Sequence, residues 1–513
     1  GTEMKRLLKC AAKSTVVTAL VFAGNTAQPA EPSSTELMAE LKRLSERVQK
    51  LERENADPQA RQNASPVPQS GLDARVKTLE TRNAQIDEAL NKDTISDKEP
   101  ELTARLKGAE YTALDIQRQA KIIEGLDGFS AGVSFTSVGQ RLVGVDTSPG
   151  TIVNYRADVT VTTPTVSTGN VNSKLFGHFR IGQGKGVSEK LTAFVGPNAS
   201  SFQLGSVIEP DSSAVMLAQA WYQADIPLPL TGVKSLSREK LTVNFGKMDP
   251  FGFFDQNAGA NDETRQFLSS TFVHNALLDN PLAANIGADG FGFSPGLRLA
   301  YLNERRKPSE SYGLSLGIFA SGKSANFSES MKSPFVIAQA ETKQRLFGGL
   351  EGNYRTFVWR NGQAPTFVAG QTGQHTGFGL NFDQRIHDAI TVFGRYGAAR
   401  GDGLPFDRTA SLGTQIAGSY WRRAADALGI AFGVNRASAD FRTQSATLDA
   451  DGNGVPDYGF AADGWEKTAE IFYRYQIHKG FDITPDFQLI RNPAGNPDAK
   501  TARILGARIQ LTY

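Results

Sequence analysis

The chain has 513 residues, of which 51 are glycine and 9% are aromatic, and its formal net charge is +2. Its mean hydropathy is negative, and no apolar run reaches 18 residues, which argues against a protein that crosses a membrane with helices. Basic and acidic residues nearly balance, which gives no basis for nucleic-acid binding. A membrane-spanning β-strand needs only about 9–11 alternating residues, so these observations do not exclude a transmembrane β-barrel.

The N-terminus has the arrangement of a secretory signal. Four basic residues between positions 5 and 13 precede an apolar stretch at 16–23, and small residues follow. We predict a signal peptide at 1–27. Its removal takes away four basic residues and one acidic residue and leaves 51 basic and 52 acidic ones. The only cysteine, Cys10, lies within it, so the mature protein has neither a disulfide nor a thiolate metal site.

Residues 31–124 are predicted to form a periplasmic, helical coiled-coil region with linkers. Two runs place apolar residues at alternating spacings of four and three, each with an asparagine in the seam: Leu37, Leu41, Leu44, Val48, Leu51 and Asn55, then Leu72, Val76, Leu79, Asn83, Ile86 and Leu90. One helix cannot bury such a seam, so a partner is needed. We favour self-association, with the number of strands left open; the alternative is a helix that lies on its own barrel.

From residue 128 onward the hydrophobic period changes to two. Alternating stretches at 175–181, 312–320 and 471–477 are separated by long polar loops and by tight turns, an asymmetry typical of outer-membrane barrels. The alternating stretches extend over too many residues to form a β-sandwich around one hydrophobic core. The final stretch, 503–513, alternates and ends on Tyr513, where an aromatic ring suits a membrane interface. The sequence therefore predicts an all-β transmembrane β-barrel of antiparallel strands at 128–513.

One stretch carries a family resemblance. Residues 245–275, FGKMDPFGFFDQNAGANDETRQFLSSTFVHN, join an alternating strand to a bend and a carboxylate and amide cluster. This resembles the signature of the carbohydrate-selective outer-membrane porins. Further matches lie at 377–397, 419–429 and 486–495; in the last two, Ala424 replaces a frequent proline and Ala494 is inserted.

The resemblance implies an outer-membrane porin of the Gram-negative type with about 16 strands, although 18 would also fit the length. It implies a homotrimer, contact with outer-membrane lipid, and passive diffusion of small neutral hydrophilic solutes, chiefly carbohydrates, through a pore narrowed by inward loops. Three alternatives stay open: a general or anion-preferring porin, an outer-membrane tether that reaches the cell wall through the coiled coil, and a barrel enzyme such as a lipase. No catalytic motif supports the last, so we expect no enzyme.

A sugar constriction needs bidentate donors, acceptors and an aromatic surface. The loop candidates for it are Asp249, Phe253, Asp255, Asn257, Asn261, Asp262, Glu263 and Arg265. Inward-facing wall candidates are Arg180, Arg395 and Arg474. The alternatives are a structural plug, in which the loop groups bond to the wall, and ordinary paired wall arginines. A predominance of basic groups would favour anions.

A second motif offers oxygen ligands for a hard cation. Asp449, Asp451, Asn453 and Asp457 occupy positions 1, 3, 5 and 9 of a glycine-containing loop, as in calcium loops. Phe460 stands where an EF-hand has glutamate, so an EF-hand is excluded. A solvated acidic loop is the alternative to a Ca²⁺ site, and no other cofactor is expected.

Overall fold

The computed structural model describes residues 128–513 except 146–149, 203–212, 229–236, 280–291, 308–309 and 323–330, together with Thr81. The predicted signal peptide and, Thr81 apart, the predicted coiled-coil region lie outside the described residues. The chain divides into two units, 1–110 and 111–513, and the strands belong to the second.

In the described part of the chain, seventeen strands form a single antiparallel sheet. In the first half of the sheet they are β1 Ser130–Val143, β2 Thr151–Thr162, β3 Val166–Thr168, β4 Val171–Gln183, β5 Ala214–Pro227, β6 Glu239–Met248, β7 Ser294–Lys307, β8 Glu310–Phe319 and β9 Phe335–Leu346. In the second half they are β10 Leu350–Pro365, β11 Thr372–His387, β12 Ile390–Gly401, β13 Phe406–Ala417, β14 Ala427–Ala437, β15 Trp465–His478, β16 Phe481–Arg491 and β17 Ala502–Thr512.

Helices are short in the described part of the chain. They are α1 Ser270–Val273, α2 Ala439–Gln444, and 3-10 turns at Val187–Lys190, Pro250–Gly252, Gly418–Trp421 and Pro493–Gly495. Within the described residues no helix has the length and apolarity needed to cross a membrane.

The sheet closes into a barrel because β1 pairs with both β2 and β17. β2 and β3 both pair with β4, and between them the chain is interrupted at Pro164, which has no N–H to give to a ladder. Thr163 spans the interruption, since its N–H donates to the carbonyl of Leu175 at 3.0 Å. β2 and β3 therefore fill one position in the wall. The barrel has 16 positions, which confirms the predicted number over 18.

The connections differ in length between the two ends of the barrel. One end carries turns such as 169–170, 388–389 and 479–480, while the other carries 184–213 and 249–293 and the other long loops. Outer-membrane barrels have short periplasmic turns and longer extracellular loops. The long-loop end is therefore the extracellular one, and the tight turns lie at the periplasmic end.

The two faces of the wall differ as the alternation predicts. Large apolar residues are exposed on the outer face, among them Val153, Leu175, Leu314, Val358, Leu412, Phe432, Ile471 and Leu505. The alternate, inward positions hold polar residues such as Asn154, His178, Gln339, Asn381 and Gln488. An apolar outer band with a polar interior is the arrangement that lipid outside and water inside require. The predicted stretches at 175–181, 312–320 and 471–477 lie along β4, β8 and β15.

The barrel interior is partly filled by the β6–β7 connection. Inward-facing glycines let this connection lie close to the wall: a Cβ on Gly397 would be 2.6 Å from the Oδ1 of Asn275, and one on Gly433 would meet the Cγ2 of Thr271. Aromatic rings complete the contact in a buried cluster that includes Phe267, Phe272, Phe393 and Phe472.

Candidate functional site

The inner loop, defined as residues 249–279, begins with a tight bend into the barrel. The Asp249 carboxylate accepts a hydrogen bond from the N–H of Phe251 at 2.9 Å, which caps the 3-10 turn Pro250–Gly252. The N–H of Asp249 donates to the Oε1 of Gln219 on β5 at 3.2 Å. The proline fixes the first backbone angle of the turn. The bend therefore sends the chain across the interior rather than away from the rim.

Asp255 and Arg395 hold the loop to β12. Their side chains are 0% and 1% exposed, and the Nε of Arg395 lies 3.0 Å from a carboxylate oxygen of Asp255. The same carboxylate accepts from the N–H of Asn275 at 2.6 Å and from the amide of Asn381 at 2.5 Å. Asp255 has φ 56°, a conformation that Asp and Asn tolerate better than most residues.

The remaining donors of Arg395 bind loop carbonyls. Its guanidinium donates to Phe272 at 2.6 Å and to Ala260 at 2.8 Å. Asn257 donates to the Oδ1 of Asn381 at 2.8 Å. We call Asp255, Asn257 and Asn275 of the loop, with Asn381 and Arg395 of the wall, the anchor. Because the ion pair is enclosed and its groups bond to the loop and the wall, the anchor fixes the loop and is closed to a solute.

A second set of contacts holds the return half of the loop to β15. The Glu470 carboxylate accepts from the N–H groups of Leu268 at 2.6 Å and of Ser269 at 2.9 Å. These N–H groups precede α1, whose cap is Ser269. The loop is thus tied to the wall on both sides of its most inward part.

That most inward part, residues 261–266, is the tip. All six of its residues are half-buried. Arg265 is 40% exposed and donates to Asp482 on β16 at 3.1 Å. The buried Arg508 of β17 donates to the carbonyls of Glu263 and Gln266, both at 2.8 Å. The tip is therefore positioned by backbone contacts to Arg508 and by the contact of Arg265 with Asp482.

From the tip a row of alternating charges leads to β2 and β4 of the wall. Glu263 accepts from Arg156 at 2.7 Å, Arg156 pairs with Asp158 at 3.0 Å, and Asp158 pairs with Arg180 at 2.6 Å. His178 also lies 2.7 Å from Asp158. Burial of Glu263 opposes its ionisation, but the charges of Arg156 and Arg180 outweigh burial and hold the pKa of that carboxyl below its ordinary value. The row therefore contains both signs of charge beside the tip.

The predicted loop and wall candidates divide between these places. Asp249 lies in the bend; Asp255, Asn257 and Arg395 belong to the anchor; Asn261, Asp262, Glu263 and Arg265 belong to the tip; Arg180 joins the row of charges. Phe253 lies between Trp221, at 5.7 Å between ring centroids, and the Arg298 guanidinium, at 4.9 Å. Arg474 donates to the carbonyl of Ala425 at 3.3 Å.

Sequence reasoning missed Arg156 and Asp158, although both face the constriction. They stand on β2, TIVNYRADVTVT, where polar Asn154, Arg156 and Asp158 alternate with Val153, Tyr155 and Ala157. That alternation was the available signal, since it turns both charged groups towards one face of a strand.

The predicted cation ligands converge on the exposed β14–β15 connection. One oxygen from each of Asp449, Asp451 and Asp457 lies within 4.8 Å of the others. The Asp449 carboxylate accepts from the N–H groups of Gly454 at 2.8 Å and of Asn453 at 3.1 Å. These hydrogen bonds, that from Gly454 foremost, hold the pKa of Asp449 below its ordinary value. Oxygen donors at this spacing fit a hard cation.

A family profile, described as carbohydrate-selective porin, OprB family, matches residues 179–513. The match covers more than half of the chain and includes the inner loop. The chain belongs to the OprB family. This family and the barrel together place the protein in the outer membrane.

This OprB-family chain is similar to known porins in sequence and in fold. It is 29% identical over 162 residues to porin AaxA of Chlamydia pneumoniae, which covers 32% of this chain and 33% of that protein. It is 27% identical over 283 residues to porin AaxA of Chlamydia trachomatis serovar D, covering 54% and 53%. The matches thus span about half, or less, of the length of the curated relatives.

Among solved structures, the barrel resembles the high-pH structure of Pseudomonas putida OprB. The TM-score is 0.57 at 16% identity, with 78% of this chain and 97% of that chain covered. At this identity the likeness concerns the fold alone. The fold and the family indicate a channel rather than an enzyme.

Proposed function

We propose that the protein lets small neutral hydrophilic solutes, carbohydrates foremost, diffuse passively across the outer membrane. The observation that carries this proposal is the alternation of charge at the constriction: Asp482 with Arg265, and Glu263 with Arg156. A ring of one sign selects ions of the other sign, whereas paired charges present donors and acceptors without a strong net field. A sugar hydroxyl can both donate and accept, so such a lining suits it.

Polar groups and aromatic rings near the tip support the proposal. The Arg265 side chain is 40% exposed although it pairs with Asp482, and Asn261 and Asp262 are half-buried beside it. Phe253 and Trp221 are only half-buried, and their rings offer an apolar surface of the kind that the ring face of a sugar packs against. We infer that Asn261, Asp262 and Arg265 bind solute hydroxyls while Phe253 contacts the ring.

The proposal is tested with the purified protein in liposomes. We expect swelling with mono- and disaccharides that exceeds swelling with charged solutes of matched size, and a reversal potential near zero in a salt gradient. Strong anion preference would replace the proposal with an anion-preferring porin. Absence of swelling with every solute would contradict a channel, and labelling by a serine-reactive probe would then support the barrel-enzyme alternative.

We infer further that residues 31–124 join three copies of the chain through the predicted seam, and that this segment reaches towards the cell wall. The support is the seam's need for partner helices and its two asparagines, which set register. Deletion of 31–124 should lower the oligomeric state seen by light scattering. An unchanged oligomer would contradict the proposal, whereas an envelope defect with normal solute uptake would favour the tether.

We propose that the exposed β14–β15 loop binds Ca²⁺ through Asp449, Asp451, Asn453 and Asp457. Extracellular calcium modules have Kd values on the order of 10⁻⁴–10⁻³ M, and we expect a value in that range by calorimetry. Asp451→Asn should weaken binding at least about tenfold, because it removes one of few charged ligands. If the substitution does not change the heat of binding, the Ca²⁺ site is contradicted and the segment is a solvated acidic loop.

A further inference from the structure

A row of basic side chains follows the extracellular rim of the barrel on its outer face. Six consecutive strands, β12 to β17, each contribute one: Arg400, Arg408, Arg436, Lys467, Arg491 and Arg503. We call these six residues the basic belt. Each lies within the first or last few positions of its strand, beside an extracellular connection.

The alternation along the strands shows that the belt faces outward. Arg408 stands four positions from Leu412, and Lys467 stands four positions from Ile471. Leu412 and Ile471 are 56% and 41% exposed on the lipid-facing band. Residues separated by an even number of positions share a face of a strand. The belt therefore caps the apolar band at the level where the hydrocarbon of the outer leaflet ends.

Two pairs of belt residues are placed directly opposite each other across strands. Arg408 is opposite Arg436, and Lys467 is opposite Arg491. Like charges at such positions destabilise a sheet. Arg436 is neutralised by Asp407, at 2.7 and 2.8 Å, but within the described residues no acidic side chain lies within 4.0 Å of the charged groups of Lys467 or Arg491. This arrangement calls for an external anion.

The opposite end of the same strands has another composition. The outward positions there include Tyr475, Ile477 and Tyr513, which are 42%, 47% and 85% exposed. Aromatic residues suit either interface of a membrane. Clustered basic residues, in contrast, attract anionic head groups. The strand ends thus differ: basic residues stand on the strands at the extracellular rim, whereas at the periplasmic rim these strands carry aromatic and apolar residues and the exposed basic residues, such as Lys479, lie in the turns.

An apolar groove lies directly below part of the belt. It has a volume of about 440 Å³ and is lined by Val358, Phe378 and Ala398, with Arg400 and Arg408 at its edge. An apolar groove with two guanidinium groups at its mouth matches an amphiphile that has an acyl chain and a phosphate, because Arg binds phosphate oxygens with paired donors.

We propose that the basic belt binds the phosphate groups of anionic lipids in the outer leaflet, and that an acyl chain of one such lipid occupies the groove beside Arg400 and Arg408. The bound phosphates neutralise the opposed cations Lys467 and Arg491. The site is separate from the lumen, so it acts on the membrane environment of the barrel and not on the solute.

The test uses the full-length protein in a non-ionic detergent, titrated with phosphatidic acid or with diacylglycerol of the same chains, with bound lipid counted by native mass spectrometry. Phosphatidic acid should bind at least about tenfold more tightly than diacylglycerol, as expected for two or more nearby basic residues. The variant Lys467→Gln with Arg491→Gln should bind phosphatidic acid roughly 30-fold more weakly.

The matched control is Lys479→Gln with Arg385→Gln, which removes two exposed charges at the periplasmic end. It should leave phosphatidic acid binding within about twofold of wild type. Heat-modifiable mobility on gels verifies that both variants are folded. Equal binding of the two lipids, equal losses in the two variants, or displacement of the lipid by inorganic phosphate at equal concentration would each overturn the proposal.

Discussion

The anchor and the tip of the inner loop use the same residue types in different surroundings. In the anchor, Asp255 and Arg395 are enclosed and bond to each other and to the loop backbone. In the tip, Arg265 is 40% exposed and makes one contact with Asp482. A buried pair is costly to break but closed to other partners, whereas an exposed pair contributes little stability and exchanges partners easily. If the tip binds solute as proposed, stability and solute binding depend on different parts of one loop.

The largest expected effect comes from breaking the anchor. Asp255→Asn keeps the size of the side chain and a residue that tolerates φ 56°, but it leaves the Arg395 charge buried without a partner. We expect a loss of about 3–5 kcal/mol in the free energy of unfolding. The measurement is urea unfolding from lipid vesicles followed by tryptophan fluorescence, together with single-channel conductance, which should rise as the loop detaches.

The control for the anchor is Glu351→Gln. It removes an exposed carboxylate that pairs with Lys343 at 3.0 Å at the periplasmic rim, and it should change stability by less than about 1 kcal/mol. If the two substitutions have similar effects, burial does not distinguish the anchor from an ordinary surface pair.

The tip is expected to respond in binding rather than in stability. Arg265→Ala removes a hydrogen-bond donor that faces the lumen, and a lost hydrogen bond of about 1 kcal/mol corresponds to roughly fivefold weaker solute binding. The measurement is the sugar concentration that half-blocks ion current in planar bilayers. The control is Arg345→Ala, because Arg345 forms an ion pair of similar length with Glu351, at 3.3 Å. A large loss of stability in Arg265→Ala would instead make the tip part of the structural plug.

Charge selectivity gives a smaller effect that sharpens the same comparison. Glu263→Gln leaves Arg156 and Arg180 to share Asp158. A unit charge about 6 Å from a passing ion is worth about 0.7 kcal/mol in water. The permeability should therefore rise roughly threefold for anions and fall roughly threefold for cations, so that their ratio rises roughly tenfold. Reversal potentials in a salt gradient measure this ratio. Because the pKa of Glu263 is held below its ordinary value, Glu263 should stay ionised as pH falls from 7 to 5.

The architecture could be predicted from the sequence because the strands, their faces and the loop lengths are each determined by residues close together in the chain. Alternation with period two determined the strands and their faces, as along β4, β8 and β15. Loop lengths determined which end faces outward. The number of strands came from the resemblance, and the structure confirms 16. Alternation cannot count strands by itself, since a short piece such as β3 belongs to the same wall position as β2.

The site was less predictable because it depends on contacts between distant residues. The sequence marked Asp255 and Arg265 equally as candidates, yet one is enclosed and the other faces the lumen. What separates them is Arg395, which lies 140 positions along the chain from Asp255. Residue type does not reveal burial in a loop that has no period. The inward charged residues of β2, Arg156 and Asp158, were easier to predict, since their alternation with apolar residues is visible in the sequence.

The smallest expected effect concerns His274, which lies near the anchor but has an ionisable partner. Its Nδ1 lies 2.7 Å from Asp279, and its ring stacks on Phe251 at 4.6 Å. Burial by itself would lower the pKa of His274, but the hydrogen bond and charge of Asp279 raise the pKa above its ordinary value. Because the pKa of His274 is higher in the folded state than in the unfolded state, protonation of His274 stabilises the fold. This contribution is complete below the pKa of the unfolded state, about 6.5, and is lost as pH rises through the pKa of the folded state.

The difference in unfolding free energy between wild type and His274→Gln should therefore be largest near pH 5.5 and shrink towards pH 9. Because Asp279 is 33% exposed, the difference should stay within about 1 kcal/mol. Asp279→Asn should reproduce the flattened profile, since it removes the group that raises the pKa. A difference that grows with pH would mean that neutral His274 is the form the fold prefers. The contact between His274 and Asp279 would then not be one that weakens as pH rises.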